Sequence, residues 1–355
     1  MASSEKAHPK PMQGVYRMDK GWAASQKAHP IPIRSLPTHK TCVKDIALLA
    51  LIVKACDIKA KRGLCYDRWE EDIRMIYIGV TGWGDHDSLY PPTIKSKDKL
   101  AEYSAHFPVV EADACFYAIQ PIRNASKWVS ETPENFKFVV KAYQGMTGHQ
   151  RGDIPFATKA EMFKAFRDSL APYMEAGKFA MALFQFPPWF DCKRENVEYL
   201  RYCKEQMGDI RVALEFRHQS WFAPSFRERT LEFMKKEGWI HSIVDEPQAG
   251  EGSIPTVPVV TDEEVTLIRM HGRNVHGWNK PNDANWREVR YLYKYNKEEL
   301  VEWRMRIQEL AKHTRDIIVL FNNNSGGDAA DNAKEFQPLL GIDYEGLNPK
   351  QLGFF

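Results

Sequence analysis

From Met75 onward, short apolar runs alternate with longer segments in which apolar residues recur every three to four positions. Short apolar runs bounded by turn residues are typical of buried strands, and the longer repeat is typical of amphipathic helices. The pattern predicts eight strands, at 76–82, 109–116, 138–143, 181–186, 212–216, 241–244, 266–270 and 317–321. It predicts helices between most of them, at 97–106, 124–131, 159–175, 194–207, 225–236, 297–312 and 329–340.

Strands that alternate with helices imply β-α-β units and a parallel sheet. Eight such strands in about 280 residues predict an α/β fold of the (β/α)8 TIM barrel type. A doubly wound sheet is the alternative, but no Gly-x-Gly-x-x-Gly motif follows the first strand, so a dinucleotide cofactor is not expected. Residues 247–258, after the sixth strand, are rich in Pro and Gly and predict a loop in place of a helix.

The first 74 residues lack this regularity. Residues 1–40 combine Ser, Lys, His and Pro with few apolar positions, a composition that favours disorder. The codons for Trp69-Glu70-Glu71 can contain a bacterial ribosome-binding sequence ahead of Met75. We therefore expect an N-terminal extension, 1–74, that is disordered or foreign to the native protein, followed by a barrel at 75–345 and a C-terminal tail at 346–355.

Composition places the chain among globular proteins, with 43% apolar and 27% charged residues in 355. No uncharged apolar run is long enough to span a bilayer, so no membrane association is expected. The six cysteines are scattered, without a Cys-x-x-Cys pair, which favours free thiols and a cytoplasmic location. The pattern leaves the oligomeric state open.

The net charge of +2 conceals a split along the chain. Residues 1–74 carry 14 Lys and Arg against 8 Asp and Glu, a net +6, whereas the remainder carries 35 against 39, a net −4. A nucleic-acid-binding domain is usually basic. The acidic balance of the predicted barrel therefore disfavours a nucleic-acid partner.

Active sites of TIM barrels lie at the carboxyl ends of the strands, so the polar residues there are the candidate site residues. They are Trp83, Glu111, Asp113, Lys141, Gln185, Glu215, Arg217, His218, Asp245, Arg269, His271, Arg273, Asn322 and Asn323. Charges within apolar strands are costly unless they are paired. The set predicts either an interior neutralised by its own ion pairs or a polar pocket, and its size favours the pocket.

Seven motifs in order along these strands resemble the YecE-like family, domain-of-unknown-function family 72. They are Ile78–Trp83, Val110–Tyr117, Phe138–Ala142, Gln185–Pro188, Leu214–Phe222, Arg269–Arg273 and Phe321–Asn323. The resemblance covers residues 75–345. It implies a barrel close to the xylose-isomerase and endonuclease-IV type. The resemblance does not imply a particular reaction.

The first functional hypothesis is an enzyme, such as a hydrolase, lyase or isomerase, that binds a phosphorylated or carboxylated small molecule. Arg217, Arg269 and Arg273 offer forked donors that suit such anions. Glu215 or Glu111 would serve as general base and His271 as acid, with Lys141 as the fourth catalytic candidate. The other candidates would bind substrate, and they are Trp83, Asp113, Gln185, His218, Asp245, Asn322 and Asn323.

Two alternatives belong to other classes. A metal-dependent nuclease or isomerase would draw its ligands from Glu111, Glu215, Asp245, His218 and His271. A divalent metal is less favoured, because no His-x-Glu or His-x-x-x-His pattern occurs and the neighbouring cations would repel it. A non-catalytic nucleic-acid-binding protein is the other alternative, and the acidic barrel disfavours it. Aromatic side chains would then stack on bases, namely Trp83, Tyr117, Trp221 and Trp278.

Overall fold

The computed structural model describes residues 75–278 and 289–349, and the predicted extension 1–74 lies outside the described residues. Eight parallel strands form a barrel in the order of the chain, closed by pairing of the first strand with the last. The strands are β1 Met75–Thr81, β2 Val109–Ala112, β3 Lys137–Lys141, β4 Phe179–Gln185, β5 Val212–Glu215, β6 Trp239–Asp245, β7 Val265–Met270 and β8 Asp316–Phe321. The TIM barrel prediction is confirmed.

The described helices connect these strands on the outside of the barrel. They are α1 Lys99–Tyr103, α2 Ala114–Tyr117, α3 Ile122–Ser130, α4 Lys159–Glu175, α5 Arg194–Met207, α6 Arg227–Glu237, α7 Val275–Trp278, α8 Lys297–Leu310 and α9 Asp328–Leu339. The bounds of α4 and α5 coincide with the prediction. Between β6 and β7 the chain runs as a loop, also as predicted. Among the described helices, none is long and apolar enough to cross a membrane.

The second strand is shorter than predicted. It ends at Ala112, and Asp113 adopts helical backbone angles that lead into the single turn of α2. Cys115 remains buried in this turn, packed among the apolar side chains that surround the barrel. The apolar run therefore continues past the strand end, because a short buried helical turn and a buried strand carry the same apolar signal.

Apolar side chains fill the lower part of the barrel interior. We call this apolar layer the plug. Most strands contribute to it, with Val109, Val139, Leu183, Ala213, Ile240, Leu267 and Leu320 among its residues. Alternate residues of a strand face the same side, so the position two residues further along also points inward. Those positions are Glu111, Lys141, Gln185, Glu215, Ser242, Arg269 and Asn322. The strands thus present a polar layer directly above an apolar plug.

On β1, Gly79 lies at the level of the apolar plug. Its neighbour in the parallel register is Val109. A Cβ atom at Gly79 would lie 2.0 Å from the carbonyl oxygen of Val109, far inside contact distance. Because the obstacle is backbone of the paired strand, no side-chain rotation relieves it, and β1 requires glycine here.

We predict that Gly79→Ala lowers the free energy of unfolding by about 2–3 kcal/mol, since the clash forces β1 and β2 apart. Gly84→Ala is the matched control, because a Cβ there meets nothing within 4 Å. Urea unfolding of both variants measures the difference. Equal stability of the two variants would contradict this account of the β1–β2 contact.

Candidate functional site

Six side chains form a buried ionic network in and just above the polar layer. They are Glu111, Glu215, Arg217, Glu246, Arg269 and His271, and each is at most 2% exposed. They come from the ends of β2, β5, β6 and β7, which are distant in sequence and adjacent in the barrel. Five of the six were predicted site residues. The closure of the barrel brings them together.

Arg269 is the centre of the network. Its Nε donates to Oε2 of Glu111 and its Nη2 to Oε1 of the same carboxylate, both at 2.9 Å. Its Nη1 donates to Oε2 of Glu215 at 2.7 Å. Arg269, on β7, therefore joins one carboxylate from β2 and one from β5. Its contact with Glu111 is bidentate, a geometry that arginine can form and lysine cannot.

Arg217 forms the second half of the network. Its Nη2 lies 2.8 Å from Oε1 of Glu215 and donates to Nε2 of His271 at 3.1 Å. Its Nη1 donates to Glu246, whose other carboxylate oxygen accepts the backbone N–H of Ile254 at 2.6 Å. Both arginines are thus occupied by carboxylates of the protein itself.

Burial and pairing shift the acid–base properties of these groups. Burial alone would raise the pKa of Glu215, but Arg269 and Arg217 hold this pKa well below 4.5. Burial raises the pKa of Glu246 to about 7, against the opposing effect of Arg217. Burial, with the charges of Arg217 and Arg269, lowers the pKa of His271 well below 6.5, so this imidazole is neutral at neutral pH.

The mouth of the barrel lies above this network and is lined by more accessible polar groups. Lys141 is 16% exposed, and its Nζ lies 3.7 Å from Oε1 of Glu111. Asp113 is half-buried beside Lys141 and Glu111, and burial, followed by the charge of Glu111, raises its pKa. Gln185 pairs in register with Glu215 and is half-buried. Asn322 contacts Nδ1 of His271 through its amide at 2.9 Å.

Tyr291 completes the mouth on the side of β7 and was missed as a site residue. Its ring lies 6.0 Å from that of His271 and 5.9 Å from that of Trp278. The guanidinium groups of Arg217 and Arg290 lie 5.3 and 4.2 Å from the Trp278 ring. Tyr291 and Arg290 follow no strand end, so the rule that found the other residues could not find them.

Asp245 and Arg273 do not face the mouth, contrary to prediction. Asp245 points outward from β6 and accepts a hydrogen bond from Nε1 of Trp303 at 3.0 Å. Arg273 Nε donates to Asp245 at 2.9 Å, and its other nitrogens contact Glu299 and Glu302 of α8. Because Ser242 on β6 points into the barrel and side chains alternate along a strand, Glu246 also points inward and Asp245 points outward. On β7 the alternation ends at Gly272, with φ of +84°.

Three further candidates have structural partners outside the network. Asn323 is buried and donates to the carbonyl of Tyr293 and to Asn332 of α9. His218 contacts Ser220 through Nδ1 at 2.8 Å. Trp83 packs edge-to-face on Trp128 of α3, with 5.0 Å between ring centroids. These side chains secure the loops around the barrel.

The geometry of the carboxylates bears on the metal-dependent alternative. Within residues 75–278 and 289–349, no three His, Cys, Asp or Glu side chains form a group that could hold a metal ion. Arg269 occupies both oxygens of Glu111 and one of Glu215, and Asp245 and His218 lie elsewhere. Of the residues proposed as metal ligands, Glu111, Glu215 and His271 share the ionic network, where arginines engage them, and among the described residues they form no metal-binding group.

Two concavities lie away from the ionic network. A groove of about 1530 Å³ runs along α8 and the end of α6, and a depression of about 450 Å³ lies at the amino-terminal end of the barrel around Tyr77. Neither is lined by a predicted site residue. The candidate chemistry remains at the carboxyl ends of the strands.

A closed parallel barrel with an ion-paired polar layer at its carboxyl end defines this molecule as a (β/α)8-barrel protein. The chain belongs to the DUF72 family, since the family model described as "Protein of unknown function DUF72" matches residues 77–352. This confirms the family resemblance read from the seven strand-end motifs.

Individual relatives support the same assignment. UPF0759 protein YunF of Bacillus subtilis (strain 168) is 66% identical over 282 residues, which are 79% of this chain and 100% of that protein. A crystal structure of a DUF72 family protein from Enterococcus faecalis V583 matches with a TM-score of 0.74 at 40% identity, covering 78% of this chain and 100% of that one. The corresponding protein of Thermotoga maritima MSB8 gives 0.64 at 31% identity, covering 75% and 99%.

We predict that Arg269→Ala lowers the free energy of unfolding by about 3–5 kcal/mol, because it leaves two buried carboxylates without their partner. The triple variant R269A/E111Q/E215Q should recover part of this loss, since no unpaired charge remains. Arg194→Ala, at a side chain 93% exposed, is the control and should be unchanged within error. Urea denaturation measures all three. An Arg269→Ala variant as stable as the native chain would show that the network does not depend on the contacts of Arg269 with Glu111 and Glu215.

A second prediction concerns pH. The pKa of Glu246 is raised from 4.5 to about 7, so the folded state binds its proton more tightly than the unfolded state. The contribution of Glu246 to stability is then present below pH 4.5 and is lost as the pH rises through 7. Glu246→Gln mimics the protonated form, so its stability relative to the native chain should increase from pH 5 to pH 8. A constant difference in urea midpoints across this range would refute the shift.

Proposed function

We propose that this protein is an enzyme that binds a small phosphorylated or carboxylated molecule at the carboxyl-terminal mouth of its barrel. The observation that carries the proposal is the electrostatic environment of Tyr291. Burial by itself would raise the pKa of this phenol. The charges of Arg290, Arg217 and Lys141 more than offset burial, and the pKa is lowered from 10. A site that stabilises a phenolate is a site that favours an anion.

The charge balance around the mouth supports this reasoning. Arg217 and Arg269 are paired with Glu111, Glu215 and Glu246, as the hydrogen bonds show. Burial raises the pKa of Glu246 to about 7, so this carboxyl carries less negative charge near neutral pH than an isolated one. The positive charge of Lys141, whose closest carboxylate oxygen is 3.7 Å away, is then incompletely balanced within the mouth, and an anionic ligand would complete it.

The geometry changes the roles assigned to individual residues. Lys141 is the cation best placed to contact the ligand, since its closest carboxylate atom is 3.7 Å away and its side chain reaches solvent. Arg217 and Arg269 stay in their pairs and act through their field. Glu215 is a poor general base, because its pKa is low and both oxygens contact arginines.

Tyr291 is the better candidate for proton transfer. The charges of Arg290, Arg217 and Lys141 lower its pKa below 10, which eases loss of its proton, and tyrosine is among the side chains that act as general acids and bases. A proton-transfer group beside a cation suits proton abstraction next to an anionic group, a step of many lyase and isomerase reactions. We therefore favour these two reaction classes. The free thiols of Cys115, Cys192 and Cys203 support a cytoplasmic setting.

The other hypotheses have less support. The carboxylates needed for a metal-dependent reaction are engaged by arginine, which places positive charge where the metal would have to bind. Nucleic-acid binding requires an extended basic surface, and the −4 balance of residues 75–355 opposes it. An anionic small molecule needs only the local positive field of the mouth.

We predict that inorganic phosphate or citrate stabilises the protein in a thermal-shift assay. At 100 times its dissociation constant an anion adds about 2.7 kcal/mol, or a few degrees in melting temperature. Lys141→Ala should abolish this response. Lys164→Ala is the matched control, because Lys164 is exposed on α4 and pairs only with Asp168 among described residues. Stabilisation by Mg²⁺ or Mn²⁺ alone, or an unchanged response in Lys141→Ala, would overturn the proposal.

A further inference from the structure

A row of three aromatic rings extends from Lys141 along one side of the mouth. The Nζ of Lys141 lies 5.1 Å from the ring centre of Phe116. The Phe116 ring lies 5.1 Å from that of His149, which lies 5.9 Å from that of Trp189. We call Phe116, His149 and Trp189 the aromatic row. It connects the proposed anion contact with the outer edge of the barrel.

Packing does not account for the outer end of this row. Trp189 is 58% exposed, and it follows Pro187 and Pro188 in the loop after β4. Large exposed aromatic surface costs solvation and adds little to the fold, so it commonly marks a binding site. The two prolines restrict the backbone that presents the ring. The indole is therefore held at the mouth without contributing to the core.

The middle ring is uncharged. Burial, with the charges of Lys141 and Arg217, lowers the pKa of His149 to about 4, so the imidazole is neutral at physiological pH. Its Nδ1 contacts the hydroxyl of Thr147 at 2.8 Å, which fixes the ring plane. His149 thus presents a flat, neutral surface and repels neither an anion nor the apolar face of a ligand.

Polar groups lie at neighbouring strand ends, since Gln185 ends β4, which pairs with the strand that carries Lys141, and Asp113 follows β2. The amide of Gln185 makes no hydrogen bond to any residue in the described ranges, and Asp113 is half-buried next to Lys141. An amide offers a donor and an acceptor, and a carboxylate offers acceptors. Hydroxyl groups need this mixture of partners. An aromatic face beside such groups matches a ring that is apolar on one face and hydroxylated at its edge.

We propose that the ligand of the mouth is an anionic carbohydrate, a monosaccharide that carries a phosphate or carboxylate group. This inference rests on the proposed function and names its substrate class. Lys141 binds the anionic group, the sugar ring lies along the aromatic row, and Gln185 and Asp113 hydrogen-bond its hydroxyls.

The arrangement of the rings favours a sugar over a nucleobase. Phe116 and His149 meet at 77°, and His149 and Trp189 at 65°. Neighbouring rings that meet edge to face leave no parallel slot for a flat base between them. A sugar ring needs a single aromatic face and partners at its rim, and this geometry provides both.

The test measures the binding of five probes by isothermal titration calorimetry. Glucose 6-phosphate and glucuronate carry a sugar ring, glycerol 3-phosphate carries an anion without a ring, and adenosine monophosphate is compared with ribose 5-phosphate to detect a base site. We expect the sugar ligands to bind more tightly than glycerol 3-phosphate. Trp189→Ala should weaken them about tenfold and leave glycerol 3-phosphate unchanged.

Controls separate this inference from the proposed function. Met305→Ala, at a side chain 50% exposed on α8, removes a similarly exposed apolar group and should alter no affinity. If glycerol 3-phosphate and the sugar ligands bind equally, or Trp189→Ala affects neither, the carbohydrate assignment is overturned and anion binding stands. If adenosine monophosphate binds more tightly than ribose 5-phosphate and Trp189→Ala removes this difference, the aromatic row binds a nucleobase and the carbohydrate assignment is overturned. Absence of binding by every probe overturns both proposals.

Discussion

The bond between Arg269 and its two carboxylates is the interaction on which the rest of the site depends. Its guanidinium group spans the polar layer and holds Glu111 of β2 and Glu215 of β5 in place. Removing charges from water is costly, and only close pairing with additional hydrogen bonds offsets that cost. Thr81 and Ser242 supply such bonds, to Glu111 at 3.2 Å and to Glu215 at 3.1 Å. The barrel therefore carries a rigid ionic base on which the mouth is built.

This base separates two tasks that a sequence cannot distinguish. Arg217 and Arg269, which the sequence suggests as ligand donors, pair instead with carboxylates of the protein. Their remaining positive electrostatic field acts on the side chains at the mouth of the barrel. The lowered pKa of Tyr291 and the partly exposed amine of Lys141 are the result at the edge of the network. In the proposed function, the chemistry is assigned to these accessible side chains, and the more numerous buried charges position them.

Much of the fold was predictable because its causes are local. Apolar periodicity located every strand and the long helices α4 and α5 within a few residues. The strand-end rule selected Glu111, Lys141, Glu215, Arg217, Arg269 and His271, and the structure brings these side chains together because the alternation of side chains continues to the strand ends. It failed at Asp245 and Arg273, where the direction of a side chain depends on which residue is first inside and on the turn at Gly272. Tyr291 and Trp189 lie on loops, whose positions depend on tertiary contacts.

The closure of β1 on β8 has a consequence for how this chain acquires its structure during synthesis. The backbone N–H of Ile78 donates to the hydroxyl of Tyr344, 266 residues later, and that hydroxyl donates to the carbonyl of Ile76. Until the last strand leaves the ribosome, β1 and β7 both keep an unpaired edge, and such edges are prone to pair with other chains. Nascent chains of this protein thus keep these two edges unpaired until β8, which begins at Asp316, has been synthesised.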